Sequence, residues 1–210
     1  MIFSEPITAV SPGLHGRVLA VLARTDTPLT GRTIASLVKP EASQRGTQRV
    51  LDDLVRNGLV RSQPAGNARL YTFNREHVAG PAITALVNLR EELVTRMTAE
   101  VDSWQIPALA VWLFGSAARG EAGPDSDIDV FVLRPDDVPD ADQTWQDQVD
   151  NFSMRVAQWA GNGCEVLEFS RSEFDDLVRR NERIVTELRR DAIPLSGETP
   201  RQVIGRRGRR

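Results

Sequence analysis

Apolar residues recur at helical spacing three times within the first 60 positions. Leu14, Val18, Leu19 and Leu22 make one such face over 13–23. Ile34, Leu37 and Val38 make a second, opened by Thr30 as N-cap and ended by Lys39-Pro40. Val50, Leu51, Leu54 and Val55 make a third over 43–56, with Ser43 as N-cap and Asn57-Gly58 as the stop. Thr25 to Leu29, with Pro28, reads as a turn. Two strand-like runs follow, 59–62 and 69–73, joined by the turn residues Pro64-Ala65-Gly66-Asn67. The pattern predicts three helices and a hairpin.

A longer stripe comes next. Ile83, Leu86, Val87, Leu93, Val94, Met97 and Val101 predict one amphipathic helix over 80–104. Its apolar side is either a seam within the chain or the interface of a homodimer. Beyond it, strands alternate with helices: a strand over 109–114, a strand over 128–133, a helix over 142–160, a strand over 164–169 and a helix over 171–190. The run Ile193-Pro194-Leu195-Ser196-Gly197 ends the folded part. That alternation predicts an α/β (α+β) domain on a small mixed sheet. The predicted division is 1–79, a connecting helix over 80–104, a second domain over 105–197, and a basic disordered tail over 198–210. No internal repeat is found.

Charge sharpens the division. Residues 1–79 carry ten basic and six acidic side chains, whereas 105–200 carry nine and nineteen. Two modules with different partners are expected. No apolar run approaches the ~20 residues that a membrane helix needs, and MIFSEPITAV has no basic or long apolar leader region. The single cysteine, Cys164, sits in an apolar run and predicts a buried thiol in a reducing compartment. The expectation is a cytoplasmic protein with no membrane partner.

The candidate chemistry lies in 115–129, GSAARGEAGPDSDID. Gly115-Ser116 closes the apolar run Val111-Trp112-Leu113-Phe114. Asp127 and Asp129 then open a second one, Val130-Phe131-Val132-Leu133. A strand alternates faces with period two, so the two carboxylates point the same way. Hard oxygen ligands at that spacing suit Mg²⁺, and a Gly-Ser turn offers N–H groups and a hydroxyl to phosphate oxygens.

Gly115, Ser116, Arg119, Gly120, Ser126, Asp127, Ile128 and Asp129 stand where the DNA polymerase β-like nucleotidyltransferase superfamily carries its signature, and the form is similar to its minimal nucleotidyltransferase branch. The resemblance implies that Asp127 and Asp129 bind the Mg²⁺ of a nucleoside triphosphate, with ATP the expected nucleotide. Gly115, Ser116 and Arg119 would bind its phosphates. It also implies a third carboxylate on a neighbouring strand. Glu165 and Glu168 are the candidates and face opposite ways on a strand. Periodicity does not decide between them; Glu168, nearer the strand end, is the preferred one.

Leu51 to Val60, Leu-x-x-Leu-Val-x-x-Gly-Leu-Val, resembles the third helix and wing of bacterial winged helix-turn-helix domains. The resemblance implies DNA contact through Ser43, Gln44, Arg45, Thr47, Gln48 and Arg49 on the helix, and through Arg61, Asn67 and Arg69 on the wing. The bland alternative is a solvated face on a protein-docking module.

His15 and His77 fit no catalytic role. The chain has no metal-spaced Cys/His set, no Gly-x-Ser-x-Gly elbow and no Gly-Lys-Ser/Thr loop. The first functional expectation is a Mg²⁺-dependent enzyme that transfers a nucleoside monophosphate to a protein, RNA or small-molecule hydroxyl, fused to a DNA-binding domain. The rival is a transcription regulator whose nucleotidyltransferase-like domain senses a nucleotide without turnover.

Overall fold

The computed structural model describes residues 1–205 and divides into two units: residues 5–90, and residues 1–4 together with 91 onward. The unit spanning Glu5–Arg90 runs from a 3-10 turn, Pro6–Ala9, through α1 (Leu14–Ala23), β1 (Leu29–Thr30), α2 (Gly31–Leu37) and α3 (Gln44–Arg56). It continues through β2 (Val60–Ala65) and β3 (Ala68–Phe73) to α4 (Gly80–Val87).

Local chemistry sets these bounds. The Thr30 hydroxyl accepts the Thr33 N–H at 3.2 Å and starts α2. The Ser43 hydroxyl accepts the Gly46 N–H at 3.1 Å and starts α3. Gly66 turns the hairpin with a φ of 59°, a backbone that costs glycine little. Strand β2 therefore runs on through Pro64 and Ala65, which sequence reading assigns to the turn. Pro64 is tolerated because the strand order β1-β3-β2 leaves β2 at an edge. Strand β1, two residues pairing antiparallel with β3, replaces the end of the expected turn. Val18, Leu22, Ile34, Leu51, Tyr71, Ile83 and Val87 share one buried core.

The single helix expected over 80–104 is two helices. Asn88 caps α4, and α5 (Leu89–Asp102) begins directly after it. The apolar stripe divides accordingly. Ile83 and Val87 join the first core, whereas Leu93, Met97 and Val101 join the core of the second unit.

The second unit continues with β4 (Ala110–Phe114), α6 (Gly115–Ala118), β5 (Ile128–Arg134), α7 (Gln143–Ala160), β6 (Cys164–Ser170), α8 (Arg171–Arg180), α9 (Arg183–Asp191), β7 (Ile193–Gly197) and α10 (Pro200–Ile204). Its sheet order is β6-β5-β4-β7, with β5 and β6 parallel and the other pairs antiparallel. Both faces are covered, so β4 is buried along its whole length.

One face, Val111, Leu113, Ile128, Val130 and Val132, packs on α5 and α7 through Met97, Trp145, Phe152 and Val156. The other, Trp112, Phe114, Phe131 and Leu133, packs on α8, α9 and α10 through Phe174, Val185, Leu188 and Val203. Trp112 stacks on Phe131 at 4.7 Å between ring centroids. Its indole N–H donates to the Glu198 carbonyl at 2.7 Å, tying the segment after β7 to the central strand. Each such buried aromatic or aliphatic side chain stabilises the fold by roughly 1.5–3 kcal/mol.

Three expectations change here. Asn181, at a φ of 53°, divides the helix expected over 171–190 into α8 and α9. The segment at 193–197 is not merely an ending but edge strand β7. The tail expected to be disordered from 198 forms α10 over Pro200–Ile204, with Val203 and Ile204 buried. The arginines at 206, 207, 209 and 210 lie outside the described residues. No helix among the described residues is long and apolar enough to cross a membrane.

Candidate active site

Strands β5 and β6 start side by side, and their register places the acidic residues. Asp129 pairs with Phe114 of β4 on one side and with Glu165 of β6 on the other. Paired residues share a face, so Asp129 and Glu165 emerge together on the face covered by α8 and α9. Asp127 lies just before β5. The Ile128 N–H donates to the Gly163 carbonyl at 2.8 Å and sets Asp127 beside the entry to β6. Asp127 and Glu165 are exposed, while Asp129 is half-buried.

Two glycines make room for the aspartates. A Cβ on Gly115 would overlap Oδ2 of Asp129, and a Cβ on Gly163 would overlap Oδ1 of Asp127. Gly115 also has a φ of 68°, which an L side chain adopts at a cost. After it, the Ser116 carbonyl accepts the N–H groups of Glu121 and Ala122 at 2.8 and 3.2 Å and closes the loop behind α6. Ser116 itself is half-buried. Asn162, also buried, donates to the carbonyls of Gly123 and Ser126 at 2.9 and 2.8 Å, and so braces the loop before Asp127. Gly163 and Asn162 escape sequence reasoning, which sees in Gly161-Asn162-Gly163 only a break.

The electrostatics are those of carboxylates short of cations. Burial pushes the Asp129 carboxyl above its ordinary range. The charges of Glu165, Asp127 and Glu187 push the same way, and Arg119 opposes them. Arg119 does not stand free. Its Nε donates to Glu121 at 2.7 Å and its guanidinium to Oδ2 of Asp191 at 2.5 Å. It thus joins the α6 loop to the end of α9.

Glu168 is a correction. It pairs with Val132, on the opposite face from Asp129, and accepts a hydrogen bond from Arg134 Nε at 2.6 Å. Arg134 also donates to the Val138 carbonyl. Glu168 therefore anchors the acidic loop after β5, and Glu165 is the carboxylate beside the aspartates. Burial pushes the Cys164 thiol up to about 11, which keeps it protonated near neutral pH.

Among the described residues, no group of three or more His, Cys, Asp or Glu is gathered into a metal cage. Mg²⁺ rarely uses one. It is held by one or two carboxylates together with waters and substrate phosphates. The hard oxygen donors of Asp127 and Asp129, set in hollows that a Cβ on Gly163 or Gly115 would fill, fit that mode.

In the Glu5–Arg90 unit, Ser43, Gln44, Arg45, Gln48, Arg49, Arg61, Asn67 and Arg69 are all exposed. Gln48 donates to Tyr71 Oη at 3.0 Å and to Asp52 at 2.8 Å, Arg69 donates to Ser62, and Arg61 pairs with Glu76. Thr47 is a correction, because it is buried and its hydroxyl has no hydrogen-bond partner. It sits on the inner side of α3 and cannot reach a ligand there. Gln44, Gln48, Asn67, Arg69 and Arg32 line a cleft of about 830 Å³ between α3 and the hairpin. Arg32, in the first turn of α2, is absent from the sequence-predicted set.

Of the two histidines, His77 accepts the Ala79 N–H at 3.1 Å and His15 lies 3.7 Å from Asp53, consistent with local structural roles.

Comparison with known proteins adds the following. No curated protein is significantly similar in sequence. A solved structure described as a toxin-antitoxin with AMP-PNP is similar at 16% identity and a TM-score of 0.35, covering 55% of this chain and 81% of that one. TrmBL2, described as an archaeal chromatin protein with a novel mode of DNA binding, is similar at 17% identity and a TM-score of 0.30, covering 89% and 77%. Residues 98–191, within the unit that holds Asp127, Asp129 and Glu165, match the family model described as "Nucleotidyltransferase domain".

Proposed function

We propose that the second unit transfers a nucleoside monophosphate from a Mg²⁺-bound nucleoside triphosphate, with ATP the expected donor, to a hydroxyl acceptor on a protein, an RNA or a small molecule. The observation that carries the reading is the alignment of Asp129 with Glu165 beside Asp127, with the charge of Arg119 opposing theirs at Asp129. Mg²⁺, when bound, neutralises phosphate charge and polarises the reacting phosphoryl group. Asp127 and Asp129 would hold it, and N–H groups of the Gly115 turn would bind phosphate oxygens. Glu165 stands where it could accept the proton of the attacking hydroxyl. The acceptor oxygen bonds to the α-phosphorus, the bond from that phosphorus to the bridging oxygen breaks, and pyrophosphate leaves. Alignment and charge neutralisation supply most of the acceleration.

The first unit is read as a winged helix-turn-helix domain that binds DNA. Support comes from the exposed Arg45 and Arg49 on α3, from Arg69 and Asn67 on the hairpin, and from the cleft between the two elements. One observation favours the rival reading of a nucleotide sensor without turnover: Arg119 is already committed to Glu121 and Asp191.

The experiment is incubation of the purified protein and a cell lysate with each α-labelled nucleoside triphosphate and Mg²⁺. Transfer predicts label on a macromolecule or small molecule together with released pyrophosphate. Bound nucleotide with neither product supports the sensor and contradicts transfer.

A further inference from the structure

Asp191 closes α9, and its side chain is only 8% exposed. Oδ2 accepts from Arg119 at 2.5 Å and from Arg190 at 3.0 Å. Oδ1 is buried as well and has no hydrogen-bond partner among the described residues. A buried carboxylate left half-satisfied is costly, and apolar side chains often stabilise such a place better. Stability alone is thus a poor reason for an aspartate here. What it does fix is the position of Arg119.

Arg119 follows α6, a helix of four residues, too short to be held by its own backbone bonds alone. The Arg119 N–H donates to the Gly115 carbonyl at 3.2 Å, and Nε donates to Glu121 at 2.7 Å. One side chain therefore grips the α6 loop and ties it to α9. Helix α9 is a firm base, because Val185 and Leu188 are fully buried in one core with Trp112 and Phe131. At the other end of α6, Gly115 lies so close to Asp129 that a Cβ would overlap Oδ2. Contacts run unbroken from Asp191 through Arg119 and α6 to the Gly-Ser turn and Asp129.

We propose that Asp191 is a positioning residue for the nucleotide: it holds Arg119 as a clamp on the Gly-Ser turn, and Arg119 serves the phosphates by fixing that turn rather than by touching them. The inference rests on the nucleotidyltransferase reading above and deepens it, giving α9 a part in the site and Arg119 an indirect role. To reach a phosphate, the Arg119 guanidinium would have to give up the buried carboxylate it already binds. Backbone N–H groups, for their part, bind an anion well only when they already point at it, since ordering them on binding subtracts from affinity. The clamp supplies that order in advance.

The test is calorimetric titration of Mg²⁺–ATP, and of the other Mg²⁺–ribonucleoside triphosphates, into full-length wild type, Asp191→Asn, Arg119→Gln and the double variant. Thermal melts of the same proteins set a temperature at which all are folded. Asp191→Asn and Arg119→Gln are each expected to weaken binding about tenfold or more, as loss of a supporting partner does. The double variant should be no weaker than the worse single one, because the two residues act as one unit.

The direction of the Asp191→Asn effect decides. If Arg119 were a phosphate ligand that Asp191 withholds, Asp191→Asn would free it and tighten binding. If the pair were only structural, Asp191→Asn would lower the melting temperature and leave affinity unmoved. Either result, or losses that add in the double variant, overturns the assignment while wild-type binding leaves the nucleotide site standing. Should Asp191→Asn not fold, amide hydrogen exchange on free Arg119→Gln decides instead. The clamp predicts faster exchange over 116–122 than in wild type, and unchanged exchange overturns it. Absence of Mg²⁺-dependent triphosphate binding in the wild type overturns both this assignment and the reading beneath it.

Discussion

Asp129 and Glu165 are register partners across the parallel pair β5 and β6, so two carboxylates stand on one face with Asp127 at the strand entry. The arrangement costs stability in the free protein, because like charges gather where burial already disfavours ionisation. The sign follows from the direction of the shift. A carboxyl whose range is raised on folding favours the native state when protonated, so this contribution is present at low pH and is lost as pH rises through the raised value.

The first prediction concerns that cost. Asp129→Asn should raise the melting temperature near neutral pH, by about 2–4 °C for each kcal/mol of repulsion relieved, and should abolish transfer. The difference between variant and wild type should shrink as pH falls and Asp129 protonates. Thermal denaturation at several pH values checks it; a variant less stable than the wild type at pH 7 contradicts the electrostatic account.

The second prediction separates the two glutamates. Glu165→Gln should lower turnover by orders of magnitude with little change in stability, because Glu165 is exposed. Glu168→Gln removes the charged partner of Arg134, whose side chain is 10% exposed. It should cost about 1–3 kcal/mol of stability and leave the chemistry intact. Denaturant unfolding and single-turnover kinetics on both variants would show the split.

Why this pair was not legible in the sequence is a matter of burial on both faces. Strand β6 puts Leu167 and Phe169 on the side of Glu165, and Cys164 and Val166 on the side of Glu168. Each glutamate thus shares its face with apolar residues, and period two favours neither. Asp127 and Asp129 were legible because they open a strongly apolar strand directly after a Gly-Ser turn. The break at Asn88 carries no Gly or Pro and so leaves the helical periodicity unbroken. Strand β7 was hidden by Pro194, which is tolerated at an edge. Helix α10 did have a signal. Thr199 and Gln202 form a capping box around Pro200, but the arginines that follow dominate a reading by charge.

The third prediction concerns Gly115. Gly115→Ala places a Cβ on the Asp129 carboxylate at a φ of 68°. It should cost roughly 1–2 kcal/mol from backbone strain alone and displace Asp129, weakening Mg²⁺–nucleotide binding as well. A Gly115→Ala variant with wild-type nucleotide affinity would mean that the close approach has no part in the site.

The fourth prediction concerns α3. Arg45→Ala with Arg49→Ala should weaken DNA binding and flatten its dependence on salt, since fewer phosphates are neutralised. Thr47→Val, by contrast, replaces a buried hydroxyl that has no partner. It should leave DNA affinity unchanged and hold or raise stability. Fluorescence anisotropy over a salt series, with thermal melts of the same variants, reads both effects; wild-type salt dependence in the double arginine variant would assign α3 to protein docking instead.

The measurement closest to the centre of the account is calorimetric titration of Mg²⁺–ATP, and of the other ribonucleotides in turn, into wild type and Asp127→Asn/Asp129→Asn. The account predicts binding that requires Mg²⁺, vanishes in the double variant, and leaves that variant folded. Equal affinity in the two proteins, or wild-type binding indifferent to Mg²⁺, would contradict the assignment of these aspartates as the seat of the nucleotide's metal.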